Sequence, residues 1–210
     1  MRSKRAIYIA ALFVFSSVSA SAQDGNFQGL FLGINGSLSS TNTDLNFDGL
    51  SIKSVGQVST SAVAQIGYGY AATESAVFSF GVTYRLSDLR AGEASFDEGS
   101  YEFYAKRNYG IYFEPGYRIG GKTLMYGLVS YENAKGVDEF VALNPADSDK
   151  ARRNVKGFGF GFGSRSFFND IGYIQIQIKK INFDQENVIG STAVFEPSNL
   201  EGSIGIGFRY

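Results

Sequence analysis

The chain has 210 residues, a formal net charge of −1, and neither histidine nor cysteine. Its length suits a single domain. Because histidine and cysteine are missing, the sequence offers no disulfide, no cluster for a transition metal and no histidine base of the kind common in hydrolases. It also lacks the basic surplus typical of nucleic-acid-binding proteins. We therefore expect no enzyme, no cofactor and no nucleic acid as partner.

The first 22 residues have the pattern of a secretory signal peptide. Three basic residues precede an apolar run over 6–18, and small residues follow at 20–22. The run is too short to cross a bilayer comfortably, and this order of segments is typical of a cleaved export signal. We expect cleavage after Ala22, which leaves 23–210 as one domain. The alternative is an uncleaved membrane anchor.

Eight later segments alternate apolar and polar residues with the period of two that β-strands show. In chain order they lie at 28–39, 61–71, 76–86, 107–119, 123–132, 157–166, 172–179 and 200–210. In the fifth segment the two faces are mixed, and we expect Met125, Val129 and Tyr131 on one of them. Tyr126, Ser130 and Glu132 are expected on the other.

The connections between these segments alternate in length. The short ones lie at 72–75, 120–122 and 168–170, and the long, polar ones at 40–60, 88–101, 133–153 and 183–198. Short turns at one rim and long loops at the other are typical of an up-and-down barrel in an outer membrane. We therefore predict an all-β, eight-stranded antiparallel up-and-down barrel, with both termini on the side of the short turns.

The two faces of the strands decide between a soluble barrel with an apolar interior and a transmembrane barrel with an apolar exterior. The polar faces hold glycine and few charges, which suits a narrow interior better than a water-exposed surface. The charged residues expected inside are Arg85, Glu114, Arg118, Arg165, Lys179, Glu201 and Arg209. The apolar faces are rich in Phe, Tyr and Ile, so we predict a transmembrane β-barrel.

Aromatic residues near the strand ends are expected to form two girdles, one at each membrane interface. Near the short turns they are Tyr70, Tyr117, Phe167, Phe168 and Tyr210, and near the long loops Tyr101, Phe103, Tyr104, Tyr131 and Phe183. The alternative is that Tyr and Phe are frequent here only because they favour β-strands.

The interior charges allow two interpretations. Side chains just fill an eight-stranded barrel, so the charges could form a salt-bridge network that plugs it. They could instead line the constriction of a small gated pore. The sequence favours the plug. The charged long loops also allow two interpretations. They could form a surface that binds a partner or bridges to lipopolysaccharide through divalent cations. They could instead be solvated loop surface, which is the favoured interpretation.

Two stretches, together with the export signal, carry a resemblance to a known family: GIYFEPGYRIGGKTLMYGLVSYENAKG at 110–136 and SIGIGFRY at 203–210. They resemble the porin-family or opacity-type outer-membrane β-barrel proteins, which are similar to the transmembrane domain of outer membrane protein A. The resemblance covers nearly the whole chain after the signal. It implies the outer membrane of a Gram-negative-type bacterium, with both termini periplasmic.

The resemblance also implies partners. Periplasmic chaperones and the barrel-assembly machinery would act during biogenesis, and outer-membrane lipid and lipopolysaccharide would surround the barrel. The C-terminal signal read by that machinery would be Ile204, Ile206, Phe208 and the terminal aromatic Tyr210. Since nothing follows Tyr210, we expect no peptidoglycan-binding domain.

The resemblance implies no single activity, because fold alone does not give function. Members of the family act as surface antigens, adhesins, small pores or envelope-stabilising proteins. We expect a monomer with a structural or surface role carried by its extracellular loops. The alternatives are a low-conductance, porin-like channel for small solutes and an adhesin or surface antigen.

Overall fold

The computed structural model describes residues 27–47, 50–52, 57–96, 99–142, 149–184, 186–187 and 194–210. The expected signal peptide at 1–22 lies outside the described residues. No helix in this part of the chain is long and apolar enough to cross a membrane.

The regular elements of the described residues are β-strands. In chain order they are β1 (Gly29–Phe47), β2 (Leu50–Ile52), β3 (Gln57–Ala71), β4 (Ala76–Arg85), β5 (Leu89–Phe96), β6 (Gly99–Ile119), β7 (Thr123–Ala142), β8 (Asp149–Phe167), β9 (Gly172–Phe183), β10 (Glu186–Asn187) and β11 (Val194–Arg209).

Eight of these strands close into a barrel. Each is antiparallel to the next in the order β1, β3, β4, β6, β7, β8, β9 and β11, and β11 pairs again with β1. The closing ladder runs from Phe31 opposite Arg209 to Asn46 opposite Val194. The short strands β2, β5 and β10 pair with β1, β6 and β11. The prediction of an eight-stranded antiparallel barrel is therefore confirmed.

The strands are staggered around the barrel. Backbone hydrogen bonds join Leu30 to Tyr210, with N–O distances of 3.0 and 2.8 Å. Following the register from Leu30 through all eight strands leads instead to Leu200, ten residues away on the same strand. A closed barrel needs such a stagger, and it tilts the strands relative to the barrel axis.

The short turns lie where the sequence predicts them, at 72–75, 120–122 and 168–171. The prediction of four long loops is wrong for most of their length, because strands continue into them. In the largest hairpins, Gly99 pairs with Ala142 and Phe140 with Asp149. Here the outer face carries polar residues such as Lys135, which lies opposite Asn154. The strands thus lose the apolar alternation by which the sequence reveals a strand.

The outer surface of the barrel is an apolar belt. Its side chains include Ile111, which is 58% exposed, and Phe160, which is 56% exposed. The fifth predicted strand has the expected orientation: Met125 and Val129 are exposed, whereas Glu132 is buried. The polar faces of the strands therefore point into the barrel.

Candidate functional site

The interior of the barrel holds charged side chains at two levels. We call the end of the barrel with the three short turns the turn end, and the opposite end the hairpin end. Arg165 and Glu114 pair nearer the turn end, and their side chains are 0% exposed. Nearer the hairpin end, Lys179 joins Glu132 and Glu201, and Arg85 pairs with Glu201.

The turn-end ion pair spans strand β7, because Arg165 lies on β8 and Glu114 on β6. Arg165 Nη2 donates to Glu114 Oε2 at 2.9 Å. Its Nε and Nη2 also donate to Gln175 Oε1, at 3.0 and 2.8 Å. Gln175 in turn donates to Gln65 Oε1 at 3.2 Å, as does Asn35. This chain of hydrogen bonds fixes the guanidinium near the middle of the interior.

Aromatic rings surround the same guanidinium. The Arg165 Cζ atom lies 4.8 Å from the ring centre of Phe31, 5.2 Å from that of Tyr173 and 5.4 Å from that of Tyr126. A cation at such a distance from an aromatic ring is attracted by the ring quadrupole, more strongly where water is excluded. The rings therefore help to compensate for removing Arg165 from water.

These rings belong to an apolar cluster inside the turn end, which the sequence analysis missed. Its members are Phe27, Phe31, Val77, Tyr112, Leu124, Tyr126, Leu128, Phe167 and Tyr173. The placement of Phe167 in an outer girdle is wrong, because its side chain points inward and is 4% exposed. Its neighbour Phe168 is exposed on the outside, as are Tyr70 and Tyr117. The sequence does contain a sign of this cluster: apolar residues such as Phe31 and Val77 stand on the face of their strands that otherwise carries polar residues.

The hairpin-end level links four charged side chains in series. Lys179 Nζ lies 2.8 Å from Glu132 Oε1 and 3.8 Å from Glu201 Oε1, and Glu201 pairs with Arg85. Ser39 donates to Glu201 at 3.3 Å. Glu132 was expected on the inner face but not among the network residues. The two levels together hold three cations and three carboxylates, so their formal charges cancel.

Glycines on the inner face make room for the large side chains. A methyl group at Gly207 would overlap the Tyr173 ring, and one at Gly33 would lie 2.6 Å from the Tyr173 hydroxyl. Tyr173 lies between these two glycines and donates to the Leu32 carbonyl oxygen at 3.3 Å. The alternation of glycine with bulky residues is thus a packing pattern of the interior.

The two remaining charged residues of the predicted set lie at the turn end, beside aromatic rings. The Arg118 guanidinium is 5.4 Å from the ring centre of Phe27, and that of Arg209 is 5.7 Å from that of Phe167. Arg209 Nη2 also donates to the Asp170 carbonyl oxygen at 2.9 Å. The structure therefore places Arg118 and Arg209 near the rim, away from the two levels of ion pairs.

A cavity of about 20 Å³ lies between the two levels and is lined by residues of both, among them Glu114, Glu132 and Lys179. This volume holds about one water molecule. Glu114 Oε1 is buried and has no hydrogen-bond partner among the described residues. No group of three or more acidic side chains in the described ranges is arranged to hold a metal ion.

The C-terminal strand presents its apolar residues to the outside. Ile204, Ile206 and Phe208 are exposed on the outer face of β11, and Tyr210, which directly follows this strand, is exposed as well. Glu201 and Gly207 of the same strand point into the barrel.

The inside-out polarity of the barrel agrees with its sequence family. Residues 9–210 match the family described as outer membrane protein beta-barrel domain. The chain belongs to this family. Membership places the protein in the outer membrane of bacteria, with the apolar belt in contact with lipid. No curated protein sequence matches the chain significantly.

Several solved structures match the chain at low sequence identity. Ail, the attachment invasion locus protein of Yersinia pestis, is 15% identical with a TM-score of 0.44, covering 87% of this chain and 99% of its own. Neisserial surface protein A is 9% identical with a TM-score of 0.43, covering 84% and 97%. The outer membrane protease OmpT of Escherichia coli is 8% identical with a TM-score of 0.49, covering 87% and 97%. At these values the likeness concerns the fold alone.

Proposed function

We propose that the protein is a non-conducting outer-membrane barrel that acts without catalysis, through the surface at its hairpin end. The observation that carries this proposal is the filled interior. An apolar cluster occupies the turn end, ion pairs cross the middle at two levels, and the cavity between these levels measures about 20 Å³. A channel needs a continuous aqueous path, and side chains fill the interior of an eight-stranded barrel.

The charges of the interior support the same proposal. The Arg165–Glu114 pair is fully buried, and the carboxylates of the hairpin-end level are held by Lys179 and Arg85. A selective pore presents charge to passing ions, whereas here the opposite charges compensate one another.

A surface role is supported by the paired strands beyond the apolar belt. At the hairpin end, β6 and β7 remain paired as far as Gly99 and Ala142. β7 and β8 remain paired as far as Phe140 and Asp149. Pairing keeps the backbone of these hairpins in register, so the strands carry the barrel beyond the belt and offer a partner a defined backbone framework.

Recording from planar bilayers tests the sealed interior. We expect the refolded wild-type protein to show no steady conductance. The double variant Glu114→Ala/Arg165→Ala should leak more than the wild type, because it removes one of the two levels of ion pairs that fill the interior. The matched control is Asp88→Ala/Lys106→Ala, which removes a part-exposed ion pair of 3.0 Å. Reproducible conductance steps from the wild-type protein would overturn the proposal in favour of a low-conductance channel.

We infer further that the turn end, with both chain termini, faces the periplasm. Since the chain has no cysteine, single cysteines can be labelled without background. A membrane-impermeant maleimide added to intact cells should label Asn154→Cys at the hairpin end and leave Glu74→Cys in the first short turn unlabelled. The opposite pattern would reverse the orientation.

We infer also that the outward residues of β11 form the signal read by the barrel-assembly machinery. The double variant Phe208→Ala/Tyr210→Ala should reach the outer membrane at reduced levels and yet refold in detergent as well as the wild type, because both side chains point outward. Normal outer-membrane levels of this variant would contradict the inference.

A further inference from the structure

One part of the outer surface departs from the apolar character of the belt. On strands β6 to β9, the outward positions change from aromatic or aliphatic residues to lysine or arginine toward the hairpin end. Phe158 is followed by Lys156 on β8 and Ile178 by Lys180 on β9, whereas on β7 Asn133 lies between Tyr131 and Lys135. All three lysines are exposed. We call Lys135, Lys156 and Lys180 the lysine row.

The lysine row lies at one height of the barrel. Lys135 is opposite Asn154, two residues from Lys156 on the same strand, and Lys180 is opposite Phe160. Following paired residues once around the eight strands leads ten residues along a strand toward the hairpin end. Each step from one strand to the next, from β7 to β8 and from β8 to β9, therefore moves a little over one residue closer to the hairpin end. This climb offsets much of the difference in register between the three lysines, so they lie within a few residues of the same height.

The row is confined to one half of the barrel. At the corresponding height, the outward residues on the other side of the barrel are uncharged. They are Ser198 on β11, Ser40 on β1, Thr60 on β3 and Leu86, which directly follows β4. Charges that serve only to contact solvent would surround the whole barrel, whereas the lysine row faces a single direction.

Few of the carboxylates whose side chains are described lie beside the row. Lys106 on β6, which is opposite Lys135, has its own partner in Asp88 at 3.0 Å. The described acidic side chain next to the row is Asp184, whose backbone N–H donates to the Lys156 carbonyl oxygen. Arg107, exposed beside Lys106, adds a further positive charge. Among the described side chains, the patch therefore keeps a positive excess.

Aromatic residues below Lys135 and Lys156, and at about the level of Lys180, mark a membrane interface. The rings of Tyr131 and Phe158 are 5.2 Å apart in an edge-to-face arrangement, and such residues concentrate at the level of the lipid headgroups. Basic residues at that level are attracted to anionic headgroups. In an outer membrane, the anionic lipid of the outer leaflet is lipopolysaccharide, whose glycolipid anchor, lipid A, bears phosphate groups.

We propose that the lysine row binds the phosphate groups of lipid A on this side of the barrel. In the membrane this rests on the proposed orientation, with the hairpin end outward. The apolar belt below the row would contact the acyl chains of the same molecule, so one lipid would meet both surfaces.

The test measures binding of bisphosphorylated lipid A to the refolded protein in dodecyl maltoside micelles, by the rise in its thermal unfolding midpoint. The test variant is Lys156→Gln/Lys180→Gln. The control, Lys122→Gln, removes an exposed charge at the turn end, away from the row. Heat-dependent gel mobility checks that each variant is folded. At about 1 kcal/mol for each basic residue near the headgroups, the test variant should bind roughly 30-fold more weakly, and the control should bind like the wild type.

Two further measurements distinguish the phosphate groups of lipid A from free phosphate as the bound group. Dephosphorylated lipid A should bind the wild type weakly, and inorganic phosphate should not displace lipid A at equal concentration. The proposal is overturned if the test variant keeps wild-type affinity, if dephosphorylated lipid A binds equally well, or if inorganic phosphate competes. Binding in micelles depends neither on conductance nor on orientation, so this result is independent of the outcomes for the proposed function.

Discussion

Arg165 shows how a single residue can be both costly and stabilising. Moving its charge out of water is expensive, and attraction to a partner compensates only when the geometry is good and the hydrogen bonds are satisfied. Here Glu114 lies at 2.9 Å, Gln175 accepts two hydrogen bonds, and the ring of Phe31 lies at 4.8 Å. The guanidinium thus joins the polar middle of the interior to the apolar turn end.

Removing one member of this pair should cost much more than removing both. Glu114→Gln should lower the free energy of unfolding by about 3–5 kcal/mol, because Arg165 then stays buried without its counter-charge. Adding Arg165→Met should restore most of the loss. Circular dichroism during urea unfolding in lipid vesicles measures both, since the chain has no tryptophan.

The control for this prediction is a part-exposed ion pair between a lysine and an aspartate. Asp88→Asn breaks the Lys106–Asp88 pair, whose side chains are 39% and 49% exposed, and should cost less than about 1 kcal/mol. Equal losses for Glu114→Gln and Asp88→Asn would show that burial does not set the strength of the inner pair.

At the scale of the element, β11 shows why glycine recurs on the inner faces. Gly207 points inward, where an added methyl group would overlap the Tyr173 ring. Gly202, on the outer face of the same strand, has no atom within 4 Å of such a methyl group. The two glycines lie on the same strand, but only Gly207 has neighbouring atoms that leave no room for a side chain.

Gly207→Ala should therefore destabilise the barrel, and Gly202→Ala should not. Forcing a methyl group into a filled interior costs typically about 1–3 kcal/mol, whereas a surface substitution changes stability by about 0.5 kcal/mol or less. Urea unfolding of the two refolded variants gives both values. If Gly202→Ala proves as damaging as Gly207→Ala, overlap with Tyr173 is not the reason for glycine at position 207.

At the scale of the whole molecule, closure satisfies the backbone and gives the barrel its polarity. The ladder between β1 and β11 leaves neither strand as a free edge, which is the condition for strands to cross a membrane. Closure also brings together charged residues distant in sequence, such as Arg85 and Glu201.

An engineered disulfide should report this closure in solution. Asn42 on β1 and Ser198 on β11 are direct partners, and neither is buried. The variant Asn42→Cys/Ser198→Cys should oxidise readily, and after heating without reductant it should migrate faster on a denaturing gel than its reduced form.

The control disulfide pair is Asn42→Cys/Asn182→Cys. Asn182 is the partner of Ser198 on β9, so it lies two strands from Asn42, about 10 Å away. This distance is too long for a disulfide, and the control should stay reduced. Oxidation of both pairs alike would argue against the register of the closing ladder.

The sequence by itself determined the strand cores, the short turns and which face points inward. Those features are local: the two-residue period repeats along each strand, so Met125 and Glu132 could be assigned to opposite faces without knowing their neighbours. The hairpin extensions were not predictable in this way. Beyond the apolar belt a strand such as that around Lys135 no longer alternates, and only pairing with the next strand keeps it extended.

Only the tertiary structure decided which inner residues meet. The sequence identified Arg165, Glu114 and Lys179 as candidates for the interior, but not their partners, since these depend on the stagger of ten residues around the barrel. It did not reveal Glu132 as a partner of Lys179, or the rings of Phe31 and Tyr173 around Arg165. Alternation along a strand is a local property of the chain, whereas contact across the interior is fixed by closure, and closure involves all eight strands at once.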